Sequence, residues 1–210
     1  EGKFKAAVEE FSQALKKVPD PEVFMLYADS ISQIKVTNRR KARDYTFRMK
    51  GVWEQVLELN PANSEAFTRL MNLYMRLGNE LGAPEVWTYM YDKCDRALAN
   101  RPDLINATKY RGIAQTRRLY SLDLNSRDRQ QALEDLNAAL SANPNDREAR
   151  YHLARWHVAE GEIAENAGSL VLAEQLRSTA QELAEEMSDQ HPDDSMAHLQ
   201  HAYILLALGK

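Results

Sequence analysis

Five prolines mark this chain at nearly equal intervals: Pro19, Pro61, Pro102, Pro144 and Pro192 are 42, 41, 42 and 48 residues apart. Five residues before them stand Ala14, Val56, Ala97, Ala139 and Met187, and four residues before the first four stand Leu15, Leu57, Leu98 and Leu140. Five residues after the last four comes an alanine each time, Ala66, Ala107, Ala149 and Ala197. A proline cannot continue a helix, and it pushes the residue before it out of the α region. A small residue at a fixed step from such a helix end is what close helix-helix contact requires, because a larger side chain would hold the backbones apart. Recurrence of the whole pattern indicates helix pairs that bury their apolar faces on one another in a solenoid.

The positions resemble the tetratricopeptide repeat. With each proline closing a second helix, Ala7, Phe11, Ala14, Leu15 and Pro19 match the family pattern, as do Ala132, Leu136, Ala139, Leu140 and Pro144. In the first helices the small position ten residues after proline is Gly112, Ala154 and Ala202, and the later glycine is Gly78, Gly161 and Gly209. Met49 and Met90 replace the upstream alanine, Cys94 replaces the aromatic, and Arg111 stands where a leucine is expected. The spacing also exceeds the family's length of about 34 residues. The resemblance implies an all-α, right-handed α-solenoid of antiparallel helix pairs, and a scaffold for protein-protein interaction.

Periodicity and punctuation predict second helices near 3–18, 43–59, 85–100, 128–142 and 171–190, and first helices near 21–36, 63–78, 103–121, 146–164 and 194–208. Grouped in second-helix/first-helix register these are pairs at about 1–36, 43–78, 85–121, 128–164 and 171–208, in one array spanning residues 1–210. Ser64-Glu65 and Asp193-Asp194 are expected to cap the helices that follow them. The extra residues of each repeat fall beside the turn within a pair, where they either lengthen helices or enlarge loops; Gly82-Ala83-Pro84 favours a loop. Glu1 to Phe4 and Leu208 to Lys210 align with that same turn, so the chain reads as a segment of a longer repeat protein. On this reading Tyr203, Ile204, Leu206 and Leu208 are left exposed and adhesive.

Hydrophobic residues make up 44% and charged ones 28%, with no apolar run of bilayer-spanning length, which excludes a membrane span. The compartment is left open. The single Cys94 permits no intrachain disulfide and falls on an inward stripe with Tyr91, Ala97 and Leu98, as a buried small residue would. No phosphate loop, Cys-x-x-Cys, His-Glu-x-x-His or nucleophile elbow occurs, and the chain reads as a non-enzyme with no cofactor. His191, His198 and His201 with Asp193 and Asp194 are the nearest approach to a metal set, and they read as structural or solvated side chains.

Charge is unevenly distributed. Residues 130–210 hold five Lys/Arg against fourteen Asp/Glu, whereas residues 1–129 hold 22 against 17. Lys35, Arg39, Arg40, Lys41, Arg43, Arg48 and Lys50 form a basic run broken by Asp44, and Arg117-Arg118 add a second cluster. The run reads as a solvated connection, with an acidic protein partner as the next reading and nucleic acid as the weakest.

The resemblance places a ligand on the concave face lined by first helices. There it sets Thr68, Asn72, Met75 and Arg76, then Lys109, Ile113, Thr116 and Arg117, then Tyr151, Arg155, Val158 and Ala159, then Leu199 and Tyr203. Asn72, Arg76, Lys109, Arg117, Tyr151 and Arg155 are the candidate peptide-binding residues, since arginine forks and an aromatic platform suit carboxylates of an acidic peptide. Thr68 before Asn72, and Tyr110 in place of a second Asn, depart from the clamp that holds a chaperone's C-terminal carboxylate. The expected function is a protein-binding scaffold. The alternatives are a docking region of a multidomain enzyme or envelope assembly machine, and, more weakly, an RNA-associated helical repeat.

Overall fold

A computed structural model describes residues 2–34, 39–81, 84–119 and 125–209. Among them are ten helices and no strand: α1 (Gly2–Lys17), α2 (Pro21–Ser32), α3 (Arg39–Leu59), α4 (Ser64–Leu81), α5 (Pro84–Asn100), α6 (Ile105–Leu119), α7 (Ser126–Ala142), α8 (Arg147–Asn166), α9 (Leu170–Gln190) and α10 (Ser195–Ala207). The even-numbered helices are the first helices of the repeat and the odd-numbered ones the second.

Every odd-numbered helix ends two residues before one of the five prolines, at Lys17, Leu59, Asn100, Ala142 and Gln190. The residue before Pro144, Asn143, has left the helix for extended backbone (φ −140°, ψ 91°). Helices then resume under short polar side chains. Asp20 accepts from the amides of Glu22 and Val23, Asn63 from Ala66, Asp146 from Ala149 and Asp194 from Met196. Asn63 rather than Ser64 thus caps α4, because Ser64 is already the first helical residue.

The extra residues of the repeat largely lengthen helices. α4 continues through Gly78 to Leu81, α8 through Gly161 to Asn166, and α3 and α9 each reach 21 residues. An intrahelical glycine costs only about 1 kcal/mol, which flanking helix formers and packing offset. The turn moves to Gly168, at φ +80°, where the Ser169 amide bonds to the Ala164 carbonyl (2.8 Å) and the Gly168 amide to that of Glu165 (2.9 Å). Pro84 stands at the first position of α5, where a missing N–H costs nothing; Gly82 and Ala83 lie outside the described residues.

The chain divides into two compact units, residues 1–82 and 83–210. In the first, α1 packs on α2, α2 on α3 and α3 on α4, around Tyr27, Ala28, Ile31, Val52, Trp53, Val56, Leu70 and Met71. In the second, each helix from α5 to α10 packs on the next, and the first helices α6, α8 and α10 also meet one another. The four post-proline alanines, Ala66, Ala107, Ala149 and Ala197, are all fully buried, as close helix crossing demands.

Candidate interaction surface

In the second unit, Lys109 and Arg117 on α6 and Arg155 on α8 gather around His152, which is 3% exposed. Burial first, then the charges of Arg155, Arg117 and Lys109, hold its imidazole well below the usual histidine range, so it stays neutral. The cations are laid on aromatic faces: Arg117 over Trp87 (4.7 Å to the ring centroid), Lys109 over Tyr110 (4.7 Å) and Arg155 over Tyr151 (5.8 Å). Tyr151 meets the His152 ring edge-on at 5.1 Å.

Lys109 is not a simple surface charge. Its Nζ lies 3.1 Å from Asp146, the cap of α8, and 3.8 Å from Glu148, and its side chain is only 14% exposed. Burial lifts Glu148 above the ordinary carboxylate range even with Lys109 beside it. Ile113, Thr116, Val158 and Ala159 are buried; α8 packs on α6 and α10 on α8, and Val158 shares a core cluster with Ile204 of α10. Leu208 packs against that cluster, so neither Ile204 nor Leu208 is left exposed as sequence reading expected. Tyr151, Arg117 and Arg155 are half-buried, whereas Leu199 and Tyr203 are exposed.

In the first unit Asn72 is exposed, Met75 and Thr68 are half-buried or more open, and Thr68 turns its hydroxyl to the Ser64 carbonyl (2.9 Å). Arg76 donates to Glu80 (3.0 Å) and to the buried Thr46 hydroxyl (2.7 Å), so it braces α4 on α3 while remaining about half exposed. Arg76 and Thr46 occupy the same repeat positions as Arg117 and Trp87, 41 residues later. The first-helix arginine thus reaches back to the preceding second helix in both copies.

Sequence reading did not find His152, Trp87 or Asp146 as neighbours of the candidate residues. Only Asp146 carries a local signal, its place as a cap just after Asn143-Pro144-Asn145. The C-terminal histidines separate: His191 Nε2 faces the Asn145 carbonyl (3.2 Å), His198 Nε2 that of Pro192 (2.8 Å), and His201 Nδ1 the Ser188 hydroxyl (3.0 Å). Among the described residues no three His, Cys, Asp or Glu are grouped to hold a metal ion. A hollow beside α5, α6 and α7 is lined by Asp95, Leu98, Ala99, Pro102, Thr108, Arg111 and Asp135. The cation among these, Arg111, is bonded twice to Asp135 (2.8 and 3.0 Å) and once to Asp95 (3.1 Å). Of the basic run, Lys35 and the side chains of residues 39–43 lie outside the described residues, while Lys50 pairs with Glu54 (3.0 Å) and Arg48 lies over the Tyr45 ring (6.0 Å). Among the described residues no helix is long and apolar enough to cross a membrane.

The helical pairs define the class first: an all-α repeat protein. A family model of the tetratricopeptide repeat matches residues 121–179. Among solved structures, PilW, described as a widely conserved type IV pilus biogenesis factor, is 21% identical, with 98% of this chain and 79% of that one covered and a TM-score of 0.54. A thermophilic tetratricopeptide protein of Thermus thermophilus is 19% identical over 80% of this chain and 94% of its own, with a TM-score of 0.46. No curated protein matches the chain. Residues 121–179 are thus similar to the tetratricopeptide repeat, a class that generally mediates protein-protein interaction, and over the whole chain the likeness to PilW is one of fold.

Proposed function

We propose that the chain is a non-catalytic scaffold that binds an acidic peptide or protein segment along its first helices. The carrying observation is the convergence of Lys109, Arg117 and Arg155 around a neutral His152, with Tyr151 alongside. Positive charge held against buried rings loses little freedom when an anion binds, and arginine forks match carboxylates. Asn72 and Arg76 offer the same repeat positions in the first unit. The reading includes a single array, because the proline spacing runs on unchanged from Pro61 to Pro102.

The partner's affinity is expected to fall as salt rises, since exposed charges are screened within about 8 Å at physiological ionic strength. Reversing Arg117 and Arg155 together to Glu should abolish capture of salt-released partners in a pull-down while the circular dichroism spectrum is retained. Identical partner sets from native and reversed chains would refute the surface.

A further inference from the structure

We propose that the hollow beside α5, α6 and α7 is a seat for an arginine side chain presented by a protein partner. It lies inside the second unit, with all three helices in place around it. It is separate from the cation cluster around His152 and does not depend on the function proposed there.

The hollow has a volume of about 450 Å³ and is lined by Asp95, Leu98 and Ala99 of α5, by Pro102 of the following turn, by Thr108 and Arg111 of α6 and by Asp135 of α7. The internal repeat explains why there is room. Six residues after the five prolines stand Met25, Phe67, Thr108, Arg150 and His198, and Thr108 is the smallest of them. Phe67 is 4% exposed and Arg150 8%, so in those repeats a large side chain from this position is folded into the protein. Thr108 is too short to do the same.

Arg150 shows what such a seat accepts. Its guanidinium donates to the Pro144 carbonyl (2.6 Å) and to the Glu186 carboxylate of α9. Pro102, in the wall of the hollow, is the counterpart of Pro144, and α7 is the counterpart of α9. At the position of Glu186, α7 carries the exposed Ala138, and the carboxylates of the hollow are Asp135, one turn earlier, and Asp95 of α5. The chain thus repeats the surroundings of the Arg150 side chain without supplying the side chain itself.

Charge selects a cation over an aromatic ring such as that of Phe67. Asp95 and Asp135 share the single guanidinium of Arg111, which leaves the group one negative charge in excess. Asp135 gives both oxygens to Arg111, whereas Asp95 gives only Oδ1 (3.1 Å) and its side chain is 54% exposed. Oδ2 of Asp95 is therefore open to a further donor. An incoming arginine would lay its aliphatic stem along Leu98, Ala99 and Pro102 and turn its fork to Asp95. The charge is also particular to this copy: Leu153 and Leu183 stand where Arg111 and Asp135 stand, one repeat on. Charges at such a seam carry a desolvation cost that a leucine pair avoids, and a binding role accounts for their presence.

The test is a titration of the isotope-labelled chain with the peptide acetyl-Gly-Arg-Gly-amide, read from the amide resonances. Saturable shifts are expected at Leu98, Ala99 and Thr108, with those of Tyr151 and His152 unmoved. The same peptide with citrulline, uncharged and nearly isosteric, should bind about tenfold more weakly or less, and Asp95→Asn should weaken the arginine peptide by about the same factor, the loss of one charge-assisted hydrogen bond. Thr108→Arg supplies the side chain from within, as Arg150 does one repeat later, and should abolish binding. Neither Thr108 nor Asp95 is fully buried, so the helical circular dichroism should be kept. Equal binding of the arginine and citrulline peptides overturns the inference, as does Asp95→Asn that binds like wild type. A lysine peptide that binds as tightly as the arginine peptide would overturn the choice of a guanidinium.

Discussion

A methyl group added at residue 112 meets α7 on three sides, one of them the backbone carbonyl of Ala132 at 3.2 Å. Gly112→Ala should therefore destabilise the second unit by roughly 1–3 kcal/mol, as overpacking does, although alanine is the better helix former. Gly51, also inside a helix, has nothing within 4 Å of the same added atom, and Gly51→Ala should stabilise by about 0.5–1 kcal/mol. Urea unfolding of the two variants checks both signs. His152 supplies a pH dependence. Its folded pKa lies below the ordinary value of 6.5, so the unfolded state binds the proton more readily, and stability present above pH 6.5 is lost as pH falls below it. The slope should approach ~1.4 kcal/mol per pH unit. Glu148 and Glu160, both raised by burial, act in the opposite sense. His152→Phe should flatten the loss between about pH 7 and pH 5.5 in denaturant titrations, the span that brackets an ordinary histidine; an unchanged slope would assign it to other groups.

Between elements, the second unit is braced by a cation where the repeat pattern expects leucine. Arg111 on α6 holds Asp135 of α7 bidentately and Asp95 of α5 singly, and Asp135 is 3% exposed. Asp135→Ala leaves a partly buried guanidinium short of its main partner and should cost about 3–5 kcal/mol. Pairing it with Arg111→Leu should recover much of that loss, since removing both charges is far cheaper than removing one. Thermal melts of the two singles and the double decide it: additive losses would mean the pair is not coupled. Helix ends were legible in the sequence wherever a proline acted, because its effect on the preceding residue is local. Whether the extra residues lengthen helices or enlarge loops was not, because a glycine that ends a helix and one inside a longer helix, such as Gly78 in α4, carry the same local text. Leu140 shows a similar limit: it sits in the repeat's Ala-Leu pair yet is only half-buried, while Leu136, one turn earlier, is fully buried. At the candidate surface the residue types were readable, but the hold of Asp146 on Lys109 joins residues 37 apart, and no local pattern announces it.

At the scale of the whole molecule, the contacts within each unit join helices that are neighbours or next neighbours in sequence, so each repeat is supported by those adjacent to it and damage should spread by proximity along the chain. Cys94, the only sulfhydryl, is wholly enclosed within the second unit, and burial drives its thiol far above the ordinary range. That makes it a built-in clock for opening. Alkylation requires the thiolate and a path for the reagent, so an added iodoacetamide can react only in the fraction of time the helices around Cys94 part. Labelling followed by mass spectrometry should be slow in native buffer and accelerate in denaturant in step with loss of helicity, whereas rapid native labelling would show that α5 opens on its own. One unmodified side chain thus gives the second unit a chemical readout of its breathing, with no dye or engineered residue required.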